Sequence, residues 1–271
     1  VKWVDTQDIQ ALPYDSPIPG YRNDTVNTLR LWKAVSTEEF NLQEFNAGDY
    51  AEAVAQKNMA ENITMVLYPN DANENGKVLR LKQQYLLASA SMQDVVRRWV
   101  TLHGPDFTHF AEKNCFQLND THPSIAVAEL MRLLVDVYGL SWQAAWDITR
   151  HTMAYTNHTL LPEALEKWPV PLMQQLLPRL MEIIFEINAH FLAEVSIHWP
   201  GDGERLARMS LIEEGHCKQV RMAYLAIVGS FSVNGVAELH SKLLKEGLFK
   251  DFYELWPGKF NNKTNGVTPR R

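Results

Sequence analysis

Two short polar stretches hold most of the side chains able to do chemistry: Asn119-Asp-Thr-His122-Pro123 and Tyr155-Thr-Asn-His158-Thr159-Leu-Leu-Pro162-Glu163. Imidazoles, carboxylates, amides and hydroxyls at this density support three readings. Neutral amides, hydroxyls and imidazoles can ring a polyhydroxylated ligand, since every sugar hydroxyl asks for a donor and an acceptor. Alternatively, Asp120, His122, His158 and Glu163 can hold a divalent metal for hydrolysis. Or the same groups cap helices and bond turns, with no ligand at all. The sequence has no paired-His motif of the H-E-x-x-H kind, which weakens the metal, and its Asn and Thr favour the sugar; spacing leaves all three open. There is no nucleophile elbow and no glycine-rich phosphate loop, and Cys115 and Cys217 make no metal-ligand pattern. The other histidines, His103, His109, His151, His190, His198, His216 and His240, stand singly and read as surface or structural residues.

These stretches need particular elements to bring them together. Each follows an apolar run of strand character, Cys115 to Leu118 and Thr152 to Tyr155, and leads into a helical pattern with Pro123 or Pro162 near its start, where a missing N–H costs nothing. The helical patterns from Ser124 to Tyr138 and from Ser141 to His151 give enough crossover to return the chain parallel. Both turns then emerge at one carboxyl edge of an α/β sheet, where such sheets bind ligands and helix N-termini offer free N–H groups.

Elsewhere the opening is β-rich, with Pro13 to Gly20 read as a loop and Thr25 to Trp32 as a strand. Asp49 and Glu52 resemble a capping box for a polar helix, Tyr50 to Asn62, expected to lie exposed or against another chain. Leu67 to Gly76 is a turn-rich loop. A long amphipathic helix follows on Leu81, Tyr85, Ala88, Met92, Val96 and Trp99. A helical pair breaks at Pro178, Lys218 to Val228 reads as helix, Ser230 to Val236 as a small-residue turn, and the segment from Lys259 as a polar tail.

A charge of −6, from 26 basic and 32 acidic residues without a basic block, argues against a nucleic-acid partner. The longest apolar run, Met222 to Phe231, is too short for a bilayer, and two cysteines suit a reducing compartment. Val1-Lys-Trp-Val reads as the interior of a domain, so a piece of a longer chain is expected.

Eight stretches carry a resemblance: Trp3-Val-Asp-Thr-Gln7, Pro13-Tyr-Asp15, Pro19-Gly-Tyr-Arg-Asn23, Val66-Leu-Tyr-Pro-Asn-Asp71, Gln117-Leu-Asn-Asp-Thr-His-Pro123, Ala154-Tyr-Thr-Asn-His-Thr159, Leu161-Pro-Glu-Ala-Leu-Glu166 and Lys263-Thr-Asn-Gly-Val-Thr-Pro-Arg-Arg271. In this order the chain resembles the α-glucan phosphorylases of glycogen, starch and maltodextrin over essentially its whole length. The resemblance implies an α/β fold: the Rossmann-like N-terminal half of a two-domain, GT-B type glycosyltransferase, incomplete, with residues 1–271 ending at the link to a cofactor domain. It also implies a cytoplasmic, allosteric homodimer that uses inorganic phosphate to release glucose 1-phosphate from an α-1,4-glucan, with pyridoxal phosphate serving through its phosphate group.

By the same resemblance, His158 would bond the glucosyl 6-hydroxyl and turn its backbone carbonyl to the oxocarbenium-like transition state, with Asn265 sharing that hydroxyl. Asp120, His122, Thr159, Glu163 and Glu166 would line the pocket. Asn70, Asp71 and Arg80 would form a gate loop, in which Ala72 and Asn73 depart from the animal members. Asn188, Glu214 and Lys218 match a remote glucan-storage surface, Arg97 and Arg98 an activator-phosphate pair, and the helix after Asp49 a dimer contact. The cofactor lysine and the basic residues that hold phosphate are absent from the 271 residues, so this chain alone is expected not to turn over. Self-association through unpaired sheet edges is expected as well.

Overall fold

A computed structural model of the chain describes residues 1–37 and 40–269 and divides them between two units, residues 1–91 and 92–271. Arg270 and Arg271, which close the last of the eight family stretches, lie outside the described residues.

The first unit is built on an antiparallel ribbon of β1 (Ile9–Pro19) and β2 (Val26–Ser36), with Ile9 opposite Ser36 and Pro19 opposite Val26. The expected loop from Pro13 to Gly20 is therefore mostly strand. The reason is phase. Pro13, Pro17 and Pro19 share the parity of Ala11, whose partner Ala34 turns its N–H away from β1 to the Thr64 hydroxyl at 3.0 Å. At such positions no ladder bond needs the missing N–H. Asp15 and Arg30, directly opposite, form a two-point ion pair at 2.7 and 2.6 Å.

After α1 (Leu42–Asn46), Asp49 accepts the Glu52 N–H at 3.1 Å and starts a single 3-10 turn that runs into α2 (Ala55–Met65). This polar helix has a seat in its own chain: it packs on β2 and buries Ala60 and Ile63. Next, α3 (Glu74–His103) begins in the first unit and ends in the second. It buries Leu81, Ala88, Met92, Val96 and Trp99 as the periodicity predicts, while Tyr85 is only partly covered.

In the second unit, α4 (Phe110–Lys113) precedes β3 (Phe116–Asn119), α5 (Ala126–Arg132), α6 (Trp142–Thr152) and β4 (Met153–Thr156). The chain continues through β5 (Lys167–Pro169), α7 (Val170–Leu176), α8 (Pro178–His198), α9 (Gly203–Met209), β6 (Ile212–Glu213), β7 (Gln219–Arg221) and α10 (Met222–Val228). It ends in β8 (Ser232–Gly235), α11 (Glu238–Leu243), α12 (Lys250–Leu255) and β9 (Phe260–Asn262). The main sheet has the order β3-β4-β8-β9, all parallel, as the crossover argument requires for β3 and β4.

Four expectations change here. Pro162 opens one 3-10 turn (Pro162–Ala164), because the chain then extends as β5 to pair with β7. Lys218 to Val228 divides into β7 and α10. Ser230 to Val236 is the inner strand β8, and the polar tail contributes β9. Both strands are short and rich in small polar residues, so their extended form comes from their neighbours rather than from local propensity.

Leu118, Tyr155, Val233 and Phe260 stand in one register across all four strands, and each is buried. They form an apolar row on one face of the sheet. The elements α5, α8 and α10 add Leu130, Met131, Ile184, Ile187, Leu225 and Ile227, each no more than 1% exposed. Burial of each such side chain is worth about 1.5–3 kcal/mol.

Candidate active site at the carboxyl edge

One register step beyond the apolar row lies a polar one, Asn119, Thr156, Asn234 and Asn261. Thr156 Oγ1 donates to Asn234 Oδ1 at 2.9 Å and accepts from Gln117 Nε2 at 2.7 Å. The sheet thus switches from apolar to amide-rich at its carboxyl ends. The loops leaving those ends build on this row.

Asp120 has φ 62°, in the left-handed region that Asp and Asn tolerate better than other side chains. Its N–H reaches the Thr156 carbonyl at 2.9 Å, which carries the β3–β4 pairing one residue further. One carboxylate oxygen accepts the Thr121 N–H at 2.6 Å, and the other accepts the His158 N–H at 3.1 Å across the sheet. The exposed His158 ring is held by its Nε2 on Asn119 Oδ1 at 2.6 Å. Beneath it, fully buried Asn157 takes the Asn234 carbonyl through its N–H and the Tyr155 hydroxyl through Nδ2, while Oδ1 accepts the Thr159 N–H at 3.1 Å. Burial pushes the Tyr155 phenol up, well above its ordinary value, so it stays a neutral hydroxyl in that network.

Asp120, His158 and Thr159 are therefore joined in one bonded unit. Asn265 hangs from the same edge, its N–H on the Val236 carbonyl at 3.0 Å just past β8. His122 is exposed on the turn after Asp120, and Glu163 is exposed on the 3-10 turn. Glu166 accepts the Met222 N–H through its carbonyl, and its charge is felt by the Tyr155 hydroxyl. Among the described residues, no group of three or more His, Cys, Asp or Glu comes together to hold a metal, so the alternative set of Asp120, His122, His158 and Glu163 does not form one.

His240 belongs to this edge, although the sequence left it among the isolated histidines. Its Nδ1 accepts the Val236 N–H at 3.0 Å, which places the proton of the neutral ring on Nε2. Burial and the neighbouring His158 lower its pKa, and so keep it neutral. The Thr159 backbone lies near enough to oppose that shift, yet Nε2 is buried without a hydrogen-bond partner. A third strand, turn and helix, Val233-Asn-Gly-Val236 leading to His240, was the available signal.

The other predicted residues fall elsewhere. In the first unit, Asn70 Oδ1 accepts the Ala72 N–H at 2.8 Å. Arg80 ties the same loop, donating to the Pro69 carbonyl at 2.6 Å and Asp71 at 2.8 Å with its guanidinium 4.3 Å over Tyr68. Asn188 is occupied by Leu211 N–H and the Ser210 hydroxyl, while Glu214 and Lys218 pair at 3.1 Å on the exposed turn between β6 and β7. Arg97 and Arg98 are largely exposed and lean on Asp94 one turn back, at 2.6 and 3.9 Å.

The parallel α/β sheet with a bonded polar carboxyl edge is the Rossmann-like arrangement that the resemblance implied, and the model of the carbohydrate phosphorylase family matches residues 1–271. The chain belongs to that family. It is 57% identical to the muscle form of glycogen phosphorylase of Mus musculus over 277 residues, covering 100% of this chain and 33% of that protein. The brain form of Homo sapiens is 56% identical over 278 residues with the same coverage, and the human muscle form is 57% identical over 277 residues. The chain thus spans about a third of the length of the curated relatives it matches. No helix among the described residues is long and apolar enough to cross a membrane.

Proposed function

We propose that this chain is the glucan-facing part of an α-1,4-glucan phosphorylase, a cytoplasmic homodimeric glycosyltransferase that uses inorganic phosphate to release glucose 1-phosphate. The observation that carries this reading is Asp120, whose two oxygens fix the turns after β3 and β4 against each other. A rigid crevice of amides, hydroxyls and imidazole is what a sugar needs, and the family match supplies the reaction. In this reading His158 bonds the 6-hydroxyl with Asn265 and presents its carbonyl to the developing positive charge. Asp120, His122, Thr159, Glu163 and Glu166 line the pocket. Asn70, Asp71 and Arg80 serve as gate. Glu214 and Lys218, beside Asn188, carry glucan on the storage surface, and Arg97 and Arg98 take an activator phosphate.

Pyridoxal phosphate, the family's cofactor, supplies a phosphate group for proton exchange when bound. It asks for an amine and for cations around that phosphate. Lys263, in the segment after β9, already gives its Nζ to Asn261 Oδ1 at 2.6 Å. The edge described here does not fit the cofactor unaided, and the 271 residues are expected to bind glucan without turning it over.

Electrophoresis of the chain through glycogen-containing gels tests the binding, and incubation with glycogen and phosphate tests the turnover. Retardation that survives chelator and weakens in Glu214→Ala, with no glucose 1-phosphate formed, is expected. Unretarded migration, or chelator-sensitive release of free glucose, would reject the reading.

A further inference from the structure

At the opposite edge of the same sheet, where the strands begin, a cavity of 320 Å³ opens between α6, α8, the end of α10 and the segment before β9. Its walls are largely aromatic, with Trp146, Phe191, Phe231 and Trp256. Among its polar lining side chains are Lys259 and Ser230, neither of which belongs to the site at the carboxyl edge. Lys259 lies with Nζ 3.8 Å over the Trp256 ring and donates to the Ile227 carbonyl at 3.0 Å, and among the described residues it forms no ion pair. Ser230 is 1% exposed, and its hydroxyl has no hydrogen-bond partner.

An amine in such a place is unusual. A lysine is normally buried with a carboxylate bonded to it; here the available carboxylate, Glu194, accepts the Trp256 indole N–H at 3.0 Å instead. Arg150 and His151 face the cavity from α6, and His190 and Glu194 from α8. Burial is the main influence on the amine and lowers its pKa to about 7, Glu194 acting against the shift and Arg150 with it. A large fraction of the group is thus the free amine near neutral pH, which is the form that attacks carbonyls.

From this arrangement we infer that the Lys259 cavity is a covalent site for small, flat aldehydes, with Lys259 as the nucleophile. The Nζ lone pair attacks the carbonyl carbon, and one of the two amine protons passes to the carbonyl oxygen to give a neutral carbinolamine. The carbinolamine hydroxyl then leaves as water with the second amine proton, exchanged through solvent, so that amine and aldehyde go to imine and one water. Ser230 offers the unpaired hydroxyl for the carbinolamine oxygen, and the indole and phenyl rings cover an aromatic body. This site does not depend on the glucan reading.

The test is reductive trapping of the 271-residue chain with salicylaldehyde and cyanoborohydride, followed by peptide mass mapping across pH. Lys259 is expected to label at least about tenfold faster than exposed Lys57, Lys113 or Lys245 at pH 7. Its rate should level off above about pH 7, while theirs keep climbing toward the ordinary lysine range. Unfolding in urea should abolish the preference, and Ser230→Ala should slow trapping at Lys259 while leaving the surface lysines unchanged. Labelling spread evenly over the surface lysines, or Lys259 among the slowest, would overturn the proposal, and this readout requires no variant to fold.

Discussion

Asp120 combines a left-handed backbone with a carboxylate that ties two loops. Alanine would lose both bonds and would also be less at ease at that φ, whereas asparagine keeps the backbone preference and one acceptor. Asp120→Ala is expected to cost about 2 kcal/mol, with Asp120→Asn costing about half, read as a lowered urea midpoint at unchanged slope. Equal midpoints for parent and alanine variant would mean that the turns hold without it. The prominence of Asp120 and His158 was legible, because each ends an apolar run inside a dense polar stretch. The bonding partners were not. Asn119 and Asn234 look like ordinary turn residues until the strands are paired, and His240 acquires its meaning only when α11 folds back on Val236.

At the scale of elements, two of the helices that pack with the sheet come very close at Gly229, where α10 ends. A Cβ there would lie 2.5 and 2.8 Å from the two methyl carbons of Val127 on α5, itself fully buried. Gly229→Ala is expected to destabilise by about 1–3 kcal/mol through overpacking, and Val127→Ala in the same chain to restore part of the loss. Additive losses in thermal or urea melts would show that the two sites are independent. Elements with a strong period, α3, α6 and α8, were readable because their apolar stripes hold over several turns. The short strands β8 and β9 carry no such period, and the prolines of β1 mislead when they are counted as breakers without regard to which way each N–H would point. Pro162 marks a helical start correctly but cannot say how far the helix runs.

For the molecule as a whole, Lys259 makes stability depend on pH in a direction set by burial. Its folded pKa of about 7 lies below the ordinary 10.5, so between those values the unfolded chain binds the extra proton. The penalty is full below about pH 7 and disappears as pH rises towards 10.5. Lys259→Met is therefore expected to melt higher than the parent at pH 6, with the gap closing by pH 10. A gap that does not change with pH would place the effect in packing alone. Glu213 is a stabilising contribution where Lys259 is a penalty, but it runs the same way with pH: the Lys167 ammonium bonded to it lowers its pKa, so its contribution is present above the ordinary carboxylate range and fades as acid protonates it. Acid should therefore weaken the second unit twice, by loading Lys259 and by discharging Glu213.

The ribbon of the first unit has a bearing on how the chain behaves in crowded solution. Along the outer side of β1, Pro13, Pro17 and Pro19 present carbonyls but no N–H groups. A foreign strand arriving at those three positions meets acceptors without donors, and only Ile9, Ala11 and Asp15 on that side still offer the N–H groups that a fibril needs to copy itself from layer to layer. That border is a broken template for growth, and three residues that look like defects in a strand act as its guard.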